Sequence, residues 1–311
     1  MKQKVVFITG PTAAGKTDIA IAVAKYLGGE ILCADSMQIY SEMHIGTARP
    51  LTEEQQGIPH HLFGTVAPNQ AYSVAQYQAE AQTILETLAE KKALPIVVGG
   101  TGLYLNALLY DIDFTKTEPN RLLREQLSRE YDVPGGSEKL YARLKQEDPD
   151  AAQRIHPNDK KRLIRRLEIL ATEETPAVYA FRAPQDKYET LVIGINKERP
   201  HLYRDIEIRV DQMMDRGLEQ EVRTIYQKYG ANITAFSAIG YKEFLPYFGG
   251  EASLEATVEL IKRNTRRFAK RQMTWFRREP SIHWFFAEPY KSSHQEAEEV
   301  LRCIQEFLLK E

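Results

Sequence analysis

The octapeptide Gly-Pro-Thr-Ala-Ala-Gly-Lys-Thr occupies residues 10–17 and matches the phosphate-cradling pattern Gly-x-x-x-x-Gly-Lys-Thr. Residues 4–9 before it are apolar and rich in β-branched side chains, whereas residues 18–27 after it carry apolar side chains at helical spacing. A strand, a glycine-rich turn and a helix are therefore predicted in the order that such a loop requires. The pattern alone does not identify whose phosphate is bound.

Each fixed position of this phosphate loop has a physical reason. Gly10 and Gly15 let backbone N–H groups turn toward phosphate oxygens, and the start of the following helix adds partial positive charge. Lys16 adds a full positive charge, and the Thr17 hydroxyl can ligate Mg²⁺. We expect a diphosphate to be held by the whole loop, namely Gly10, Pro11, Thr12, Ala13, Ala14, Gly15, Lys16 and Thr17.

The segments that follow alternate between strand and helix patterns. Strands are predicted at residues 30–34, 94–98 and 191–195, with a helix at residues 73–91. This alternation predicts an α/β fold with a parallel sheet and helices on both faces. Ligands of such sheets bind at the carboxyl ends of the strands. Asp35 and Thr101 follow two of these strands, so we expect both near the phosphate loop.

Asp35 is open to three interpretations from the sequence. Its carboxylate could support Mg²⁺ through water, or act as a general base toward a nucleophile that faces the phosphate. It could also be an ordinary turn or helix N-cap aspartate. Thr101 is similarly either a ligand contact or a turn residue.

Residues 114–187 differ in character from the rest of the chain. They are highly charged, show helical periodicity and are broken by prolines. We interpret them as a helical insertion domain within a core formed by residues 1–113 and 188–311. The adjacent His60 and His61 do not indicate a metal site, because neighbouring side chains of an extended segment point to opposite sides and no third ligand has suitable spacing.

Composition narrows the class of protein. The 311 residues have a formal net charge of −2, which argues against general nucleic-acid binding, and the apolar stretch near the N-terminus is too short to be a signal sequence or membrane span. We therefore expect a cytoplasmic protein without a membrane partner. Cys33 and Cys303 are expected to be reduced and structural.

Positive charge is nevertheless concentrated in residues 260–278, which contain eight basic residues and no acidic one. Ile261, Phe268 and Trp275 recur every seven residues, and we predict that they form the buried face of a helix. The unmixed charge favours contact with an extended polyanion over an ordinary solvated face. The basic residues are Lys262, Arg263, Arg266, Arg267, Lys270, Arg271, Arg277 and Arg278.

A second basic segment also favours contact with an extended polyanion, whereas Arg209 differs from both segments. A cluster in the insertion suits a clamp on a phosphate backbone and consists of Arg154, Lys160, Lys161, Arg162, Arg165 and Arg166. Arg209 follows the strand at residues 191–195 after a short run with helical periodicity, which could aim its side chain back at the cleft.

Besides the phosphate loop, the chain contains several distinctive strings: Ala-Asp-Ser-Met-Gln-Ile-Tyr at 34–40, Ile-Gly-Thr-Ala at 45–48, Pro-His-His-Leu at 59–62, Ala-Tyr-Ser at 71–73, Val-Gly-Gly-Thr-Gly-Leu-Tyr at 98–104, Ala-Ile-Gly-Tyr-Lys-Glu at 238–243 and Thr-Arg-Arg-Phe-Ala-Lys-Arg-Gln-Met-Thr-Trp-Phe-Arg at 265–277. Taken together, these strings resemble the bacterial tRNA dimethylallyltransferases. The resemblance spans nearly the whole chain, and it is to the shorter bacterial form, which lacks the C-terminal zinc finger of eukaryotic members.

The resemblance implies a P-loop NTPase-like fold that holds dimethylallyl diphosphate instead of a nucleoside triphosphate. The acceptor would be the exocyclic amine of the adenosine 3′ of the anticodon, in tRNAs that read codons beginning with U. Asp35 would take the proton of that amine, while Lys16, Thr17 with Mg²⁺, and Arg209 would hold the diphosphate. We expect a monomer that binds the tRNA anticodon stem-loop.

The same resemblance implies a set of tRNA contacts. They are Asp35, Ser36, Met37, Gln38, Thr101, Arg124, Lys161, Arg162, Leu163, Ile164, Arg165, Gly240, Tyr241, Lys270, Arg271 and Arg277. Two alternatives remain from the residues alone: a small-molecule or nucleotide kinase of the same fold, and a nucleotide-gated RNA-binding protein without chemistry.

Overall fold

The computed structural model describes residues 2–112, 120–171, 183, 185–287 and 293–310, and these contain six strands and twelve α-helices. The strands are β1 (Gln3–Thr9), β2 (Gly29–Cys33), β3 (His60–His61), β4 (Leu94–Gly99), β5 (Tyr188–Asn196) and β6 (Ile282–Phe286). The helices are α1 (Lys16–Leu27), α2 (Val74–Lys91), α3 (Gly102–Leu109), α4 (Arg121–Asp132), α5 (Gly136–Glu147), α6 (Pro149–Arg154), α7 (Lys160–Leu170), α8 (Arg199–Asp215), α9 (Leu218–Tyr229), α10 (Leu245–Phe248), α11 (Leu254–Phe276) and α12 (Ser293–Leu309).

The strands form one parallel sheet in the order β3-β2-β4-β1-β5-β6. The four strands predicted from the sequence are present, and they occupy the centre of this sheet, which confirms the predicted fold class. The two edge strands were missed. Strand β3 has only two residues, which is too short for any periodicity to indicate it.

The central strand β1 is covered on both faces. Val5, Val6, Phe7 and Ile8 are fully buried, which explains why the strand reads as a continuous apolar run. Helix α1 packs against the sheet through Ile19 and neighbouring residues, and α12 lies against α1. This packing holds the phosphate loop at the carboxyl end of β1.

The chain divides into two compact units, one formed by residues 1–111 with 184–311 and the other by residues 112–183. The described part of the second unit consists of α4 to α7, which pack around Leu127, Leu140, Leu144 and Leu163. That this helical unit contacts tRNA stays a prediction. Within the described residues, no helix has the length and apolar character needed to cross a membrane.

Candidate active site

The phosphate loop has the backbone geometry that its glycines allow. Gly10 has φ of +140°, and a Cβ there would lie 2.0 Å from the carbonyl oxygen of Ile195 in β5. Gly15 is the N-cap of α1 and adopts a left-handed conformation with φ of +94°. Ala13 also has a positive φ, of 64°, and packs against Leu202 of α8 and the rest of a small apolar cluster. The loop is thus tightly enclosed by β5 and α8.

A cavity of about 760 Å³ opens beside this loop, at the carboxyl ends of the strands. All four residues that the sequence analysis assigned to the chemistry line it, so the structure brings them together. They are Lys16, Thr17, Asp35 and Arg209. The assigned roles themselves remain predictions.

Two partly buried cations face this cavity. Burial lowers the pKa of Lys16 to about 8, although the nearby carboxylate of Asp35 opposes that shift and Arg209 adds to it. Burial also lowers the pKa of Arg209, against the attraction of Asp18 and Asp205. Two cations close enough to influence one another in a partly desolvated site favour an anionic ligand.

Asp35 lies in a turn immediately after β2 and lines the cavity. Its Oδ1 accepts the backbone N–H of Met37 at 2.9 Å, as turn aspartates do. The Thr101 hydroxyl accepts the backbone N–H of Ser36 at 3.0 Å, and the N–H of Thr101 donates to the carbonyl of Ala34 at 3.1 Å. Asp35 is therefore both a turn residue and a cavity residue, and no helix begins at it.

One residue at the site was missed by the sequence analysis. Gln272 of α11 is 7% exposed; its Oε1 accepts the backbone N–H of Thr12 at 2.9 Å, and its Nε2 donates to the carbonyl of Gly100 at 3.0 Å. A glutamine inside a strongly basic helix gives no local signal of such a role. The role of Gln272 is indicated only by its position on the buried side of the helix, beside Ala269 and Phe276.

The predicted buried face of α11 is partly wrong. Ile261 is buried, but Phe268 and Trp275 are only partly covered, because Phe268 lines the cavity and Trp275 packs against Gly102 of α3. An α-helix with 3.6 residues per turn drifts by about 20° for every seven residues, so a strict seven-residue repeat does not stay on one face. The buried positions of this helix are Thr257, Ile261, Ala269, Gln272 and Phe276.

The basic residues of this region fall into two groups. Lys262 pairs with Asp211 at 2.7 Å, and Arg266 pairs with Glu207, both acidic partners lying on α8. These two charges are therefore compensated, contrary to the prediction of an unmixed face. The residues Arg263, Arg267, Lys270, Arg271, Arg277 and Arg278 are exposed.

The charged contacts predicted in the helical unit are exposed or ion-paired, and some are both. Lys161, Arg162 and Arg124 are exposed, and Arg124 and the partly exposed Arg165 both pair with the fully buried carboxylate of Glu168, at 2.8 Å and 3.1 Å. Much of the predicted basic clamp is ion-paired within its own unit: Lys160 pairs with Asp132, Arg162 with Asp159 and Arg166 with Asp148.

Three predicted tRNA contacts are enclosed and cannot touch RNA through their side chains in this structure. Leu163 and Ile164 belong to the apolar core of the helical unit. Tyr241 is 0% exposed, and its hydroxyl donates to Glu221 at 2.6 Å. Family resemblance assigned all three as contacts, and the sequence does not separate such core residues from surface contacts.

Four of the remaining predicted contacts lie in the wall of the cavity or in the turns beside Asp35. Gln38 lines the cavity, and its amide donates to the carbonyl of Thr47 at 2.9 Å. Ser36, Met37 and Thr101 are partly exposed in the turns beside Asp35. Gly240 has φ of +90°, and its N–H donates to the buried carboxylate of Glu243.

The candidate position for a metal ion is the phosphate loop. Among the described residues, no group of three His, Cys, Asp or Glu side chains could hold an ion, and His61 instead pairs with Glu30 at 2.6 Å. Mg²⁺ usually takes one or two protein oxygens and completes its shell with substrate phosphates and water. Thr17 lines the cavity, so its hydroxyl would be one such protein oxygen if a diphosphate is bound there.

The fold is that of an enzyme of the P-loop type, and its cavity places a carboxylate beside groups that suit a phosphate-bearing ligand. Residues 38–279 match the model of a family described as IPP transferase. The chain belongs to this family, the tRNA dimethylallyltransferases. They are prenyltransferases, so the kinase alternative and the alternative without chemistry are not supported.

Relatives and solved structures agree over almost the whole chain. A tRNA dimethylallyltransferase of Alkaliphilus oremlandii is 46% identical over 307 residues, which is 97% of each chain. The tRNA isopentenylpyrophosphate transferase of Bacillus halodurans has a TM-score of 0.74 at 37% identity, covering 99% of this chain and 97% of that one. A eukaryotic dimethylallyltransferase described as acting on tRNA has a TM-score of 0.84 at 29% identity and covers 99% and 79%.

Proposed function

We propose that this enzyme transfers the dimethylallyl group of dimethylallyl diphosphate to the exocyclic amine of the adenosine 3′ of the anticodon, in tRNAs that read codons beginning with U. The other product is diphosphate. The observation that carries this proposal is the placement of Asp35 in one cavity with Lys16, Thr17 and Arg209. One carboxylate beside a cluster of phosphate-binding groups suits a base that faces a diphosphate leaving group.

The donor half of the site stabilises the leaving group. The allylic carbon–oxygen bond breaks more easily when the negative charge that develops on diphosphate is neutralised. Lys16 and Arg209 supply two cations, and N–H groups of the loop and of the α1 N-terminus add partial positive charge. Mg²⁺ held through Thr17 would add further charge neutralisation at the diphosphate.

The acceptor half requires a base. An adenine amine is a poor nucleophile because its lone pair is delocalised into the ring, so removal of its proton as the new bond forms assists the attack. General-base catalysis of this kind contributes about 10²–10⁴-fold. Because Oδ1 of Asp35 already accepts the backbone N–H of Met37, we expect the second carboxylate oxygen to accept this proton more readily.

The acceptor must reach the buried donor site. The exposed basic residues Arg267, Lys270, Arg271 and Arg277 suit the phosphate backbone of an anticodon stem-loop. We expect the target adenosine to be flipped out of the loop, where unstacking costs less than in a duplex.

The test combines undermodified tRNA, labelled dimethylallyl diphosphate and Mg²⁺, followed by mass analysis of the tRNA nucleosides. The expected product is a prenylated adenosine, and its absence with the native enzyme would reject the proposal. Phosphorylation of an acceptor at the expense of ATP would instead support a kinase.

A pair of variants tests the role of Asp35. Asp35→Asn should lose about 10²–10⁴-fold in transfer rate while keeping its affinity for both substrates. Asp186→Asn is the control, because Asp186 is exposed and pairs only with Lys2 among the described residues. Full transfer by Asp35→Asn would exclude Asp35 as the base.

A further inference from the structure

The side-chain amide of Gln272 joins two loops of the core unit. Its Oε1 accepts the N–H of Thr12 in the phosphate loop, and its Nε2 donates to the carbonyl of Gly100 in the turn after β4. Both ends of a nearly buried amide are thus satisfied by backbone groups. Removing the amide would leave a backbone donor and a backbone acceptor without this partner, which is costly where water has little access.

The turn that contains Gly100 is also hydrogen-bonded to the segment that carries Asp35. Thr101 follows Gly100, and its N–H donates to the carbonyl of Ala34, while its hydroxyl accepts the N–H of Ser36. Hydrogen bonds therefore connect the phosphate loop to Gln272 and Gln272 to Gly100, and the adjacent Thr101 is hydrogen-bonded to Ala34 and Ser36, the two neighbours of Asp35.

The amide of Gln272 fits only because residue 100 is a glycine and has no side chain. A Cβ at Gly100 would lie 2.2 Å from Nε2 of Gln272, closer than any allowed contact. An alanine at position 100 would push the amide aside without altering Gln272 itself. The structure thus offers two independent ways to break the same link.

We propose that Gln272 is a positioning residue for prenyl transfer, which holds the phosphate loop at a fixed distance from the segment that carries Asp35. This inference rests on the proposed function. Transfer joins the amine nitrogen of the adenosine to the allylic carbon of the donor. The base must lie beside that nitrogen, and the diphosphate leaving group must lie beyond that carbon. A misplacement of about 1 Å can cost on the order of 10²-fold in rate. The same helix presents Lys270 and Arg271 to solvent, so one element would serve both substrates.

The test uses the full-length enzyme with Gln272→Met, which keeps length and volume but lacks both hydrogen bonds, and separately with Gly100→Ala. We expect each variant to bind inorganic diphosphate about tenfold more weakly by calorimetry. The single-turnover rate of transfer should fall by about tenfold or more, and the Kd for tRNA should stay within about twofold, because Gln272 does not reach the exposed face of α11.

Thr257→Val is the matched control. Thr257 is a buried polar residue on the same helix, and its hydroxyl donates to the carbonyl of Ser253. We expect this variant to lower the Tm without changing diphosphate affinity or transfer rate. If Gln272→Met and Gly100→Ala behave like it, losing only thermal stability, Gln272 is merely structural and the proposal is wrong.

The double variant tests whether both changes act through one link. If Gly100→Ala works by displacing the Gln272 amide, adding it to Gln272→Met should cause little additional loss, whereas independent effects would multiply. Should Gln272→Met fail to fold, Gly100→Ala alone decides, since unchanged diphosphate affinity and rate in that variant overturn the proposal. Diphosphate binding can be measured without transfer, so the two proposals can fail separately. A native enzyme that binds diphosphate but forms no prenylated adenosine would reject the proposed function. The effect of Gln272 on diphosphate affinity would still be measurable in that case.

Discussion

The ammonium group of Lys16 donates a hydrogen bond to the backbone carbonyl of Pro11, across 2.7 Å within the phosphate loop itself. The loop thereby holds its own cation over the cradle of backbone amides. Because the same group is buried, its pKa is lowered to about 8, which lies within the range where enzymes are commonly assayed.

Donor affinity should consequently depend on pH through Lys16. The free site loses the Lys16 proton as pH rises through about 8, whereas bound diphosphate favours the charged form. Affinity for dimethylallyl diphosphate should therefore fall above pH 8, by up to about tenfold for each further pH unit. Calorimetry between pH 7 and 9.5 measures this. Lys16→Arg keeps its charge over that range and should show a flat profile; an identical decline in this variant would exclude Lys16 as the titrating group.

Arg209 is expected to contribute to the same diphosphate site. Arg209→Gln should weaken binding of dimethylallyl diphosphate by about 10–100-fold, because a charge-assisted contact in a partly desolvated cavity is lost. Arg204 lies on the same helix but is exposed, so Arg204→Gln serves as the control and should leave binding unchanged. Equal Kd values for the native enzyme and Arg209→Gln would remove Arg209 from the donor site.

The division of the basic residues of α11 predicts which of them bind tRNA. We expect a plot of log Kd for tRNA against the logarithm of salt concentration to be shallower for Lys270→Gln and Arg271→Gln. The slope should fall by about 0.7–0.9 for each lost phosphate contact. Lys262→Gln and Arg266→Gln are the matched controls, because both cations are already paired with α8. Slopes that change equally in all four variants would contradict a specific contact by the exposed pair.

Glu168 should be essential to the stability of the helical unit. Its fully buried carboxylate forms ion pairs with Arg124 and Arg165 and accepts the backbone N–H of Asn120, so Glu168→Ala removes the partner of several groups at once. We expect a loss of about 3 kcal/mol in the unfolding free energy of this unit, at the low end for buried ion pairs because both arginines are partly exposed.

Hydrogen exchange of the α4 and α7 amides measures the effect of Glu168→Ala separately from the core unit. Glu130→Ala is the control, since Glu130 pairs with the largely exposed Lys139 and its loss should cost less than about 1 kcal/mol. Similar protection in the two variants would show that Glu168 is not a buried anchor.

Much of the core fold could be predicted because its signals are local. Residues 4–9 read as a two-sided buried strand, the capping box at Ser73 and Gln76 marks the start of α2, and the strands that end near Asp35 and Thr101 place both residues at one edge of the sheet. Strand β3 escaped prediction because its two residues adopt strand pairing only through contact with β2.

The candidate site was less predictable where a residue's role depends on a distant partner. Lys262 and Lys270 look alike in the sequence, yet one is compensated by Asp211 and the other is exposed. Tyr241 belongs to a recognisable string but is enclosed and bonded to Glu221. Such differences come from which helix packs beside which, and no periodicity within one helix records that.

The sequence by itself determined the phosphate loop, the order of strands and helices, and the carboxylate that follows β2, because each depends on the conformation of a few consecutive residues. Only the tertiary structure decided which basic residues of α11 are exposed and which residues of the family strings are buried in the core. It also decided that Gln272 connects Thr12 to Gly100. The physical reason is that burial and hydrogen bonding are satisfied in space, by groups that the chain brings together from distant segments.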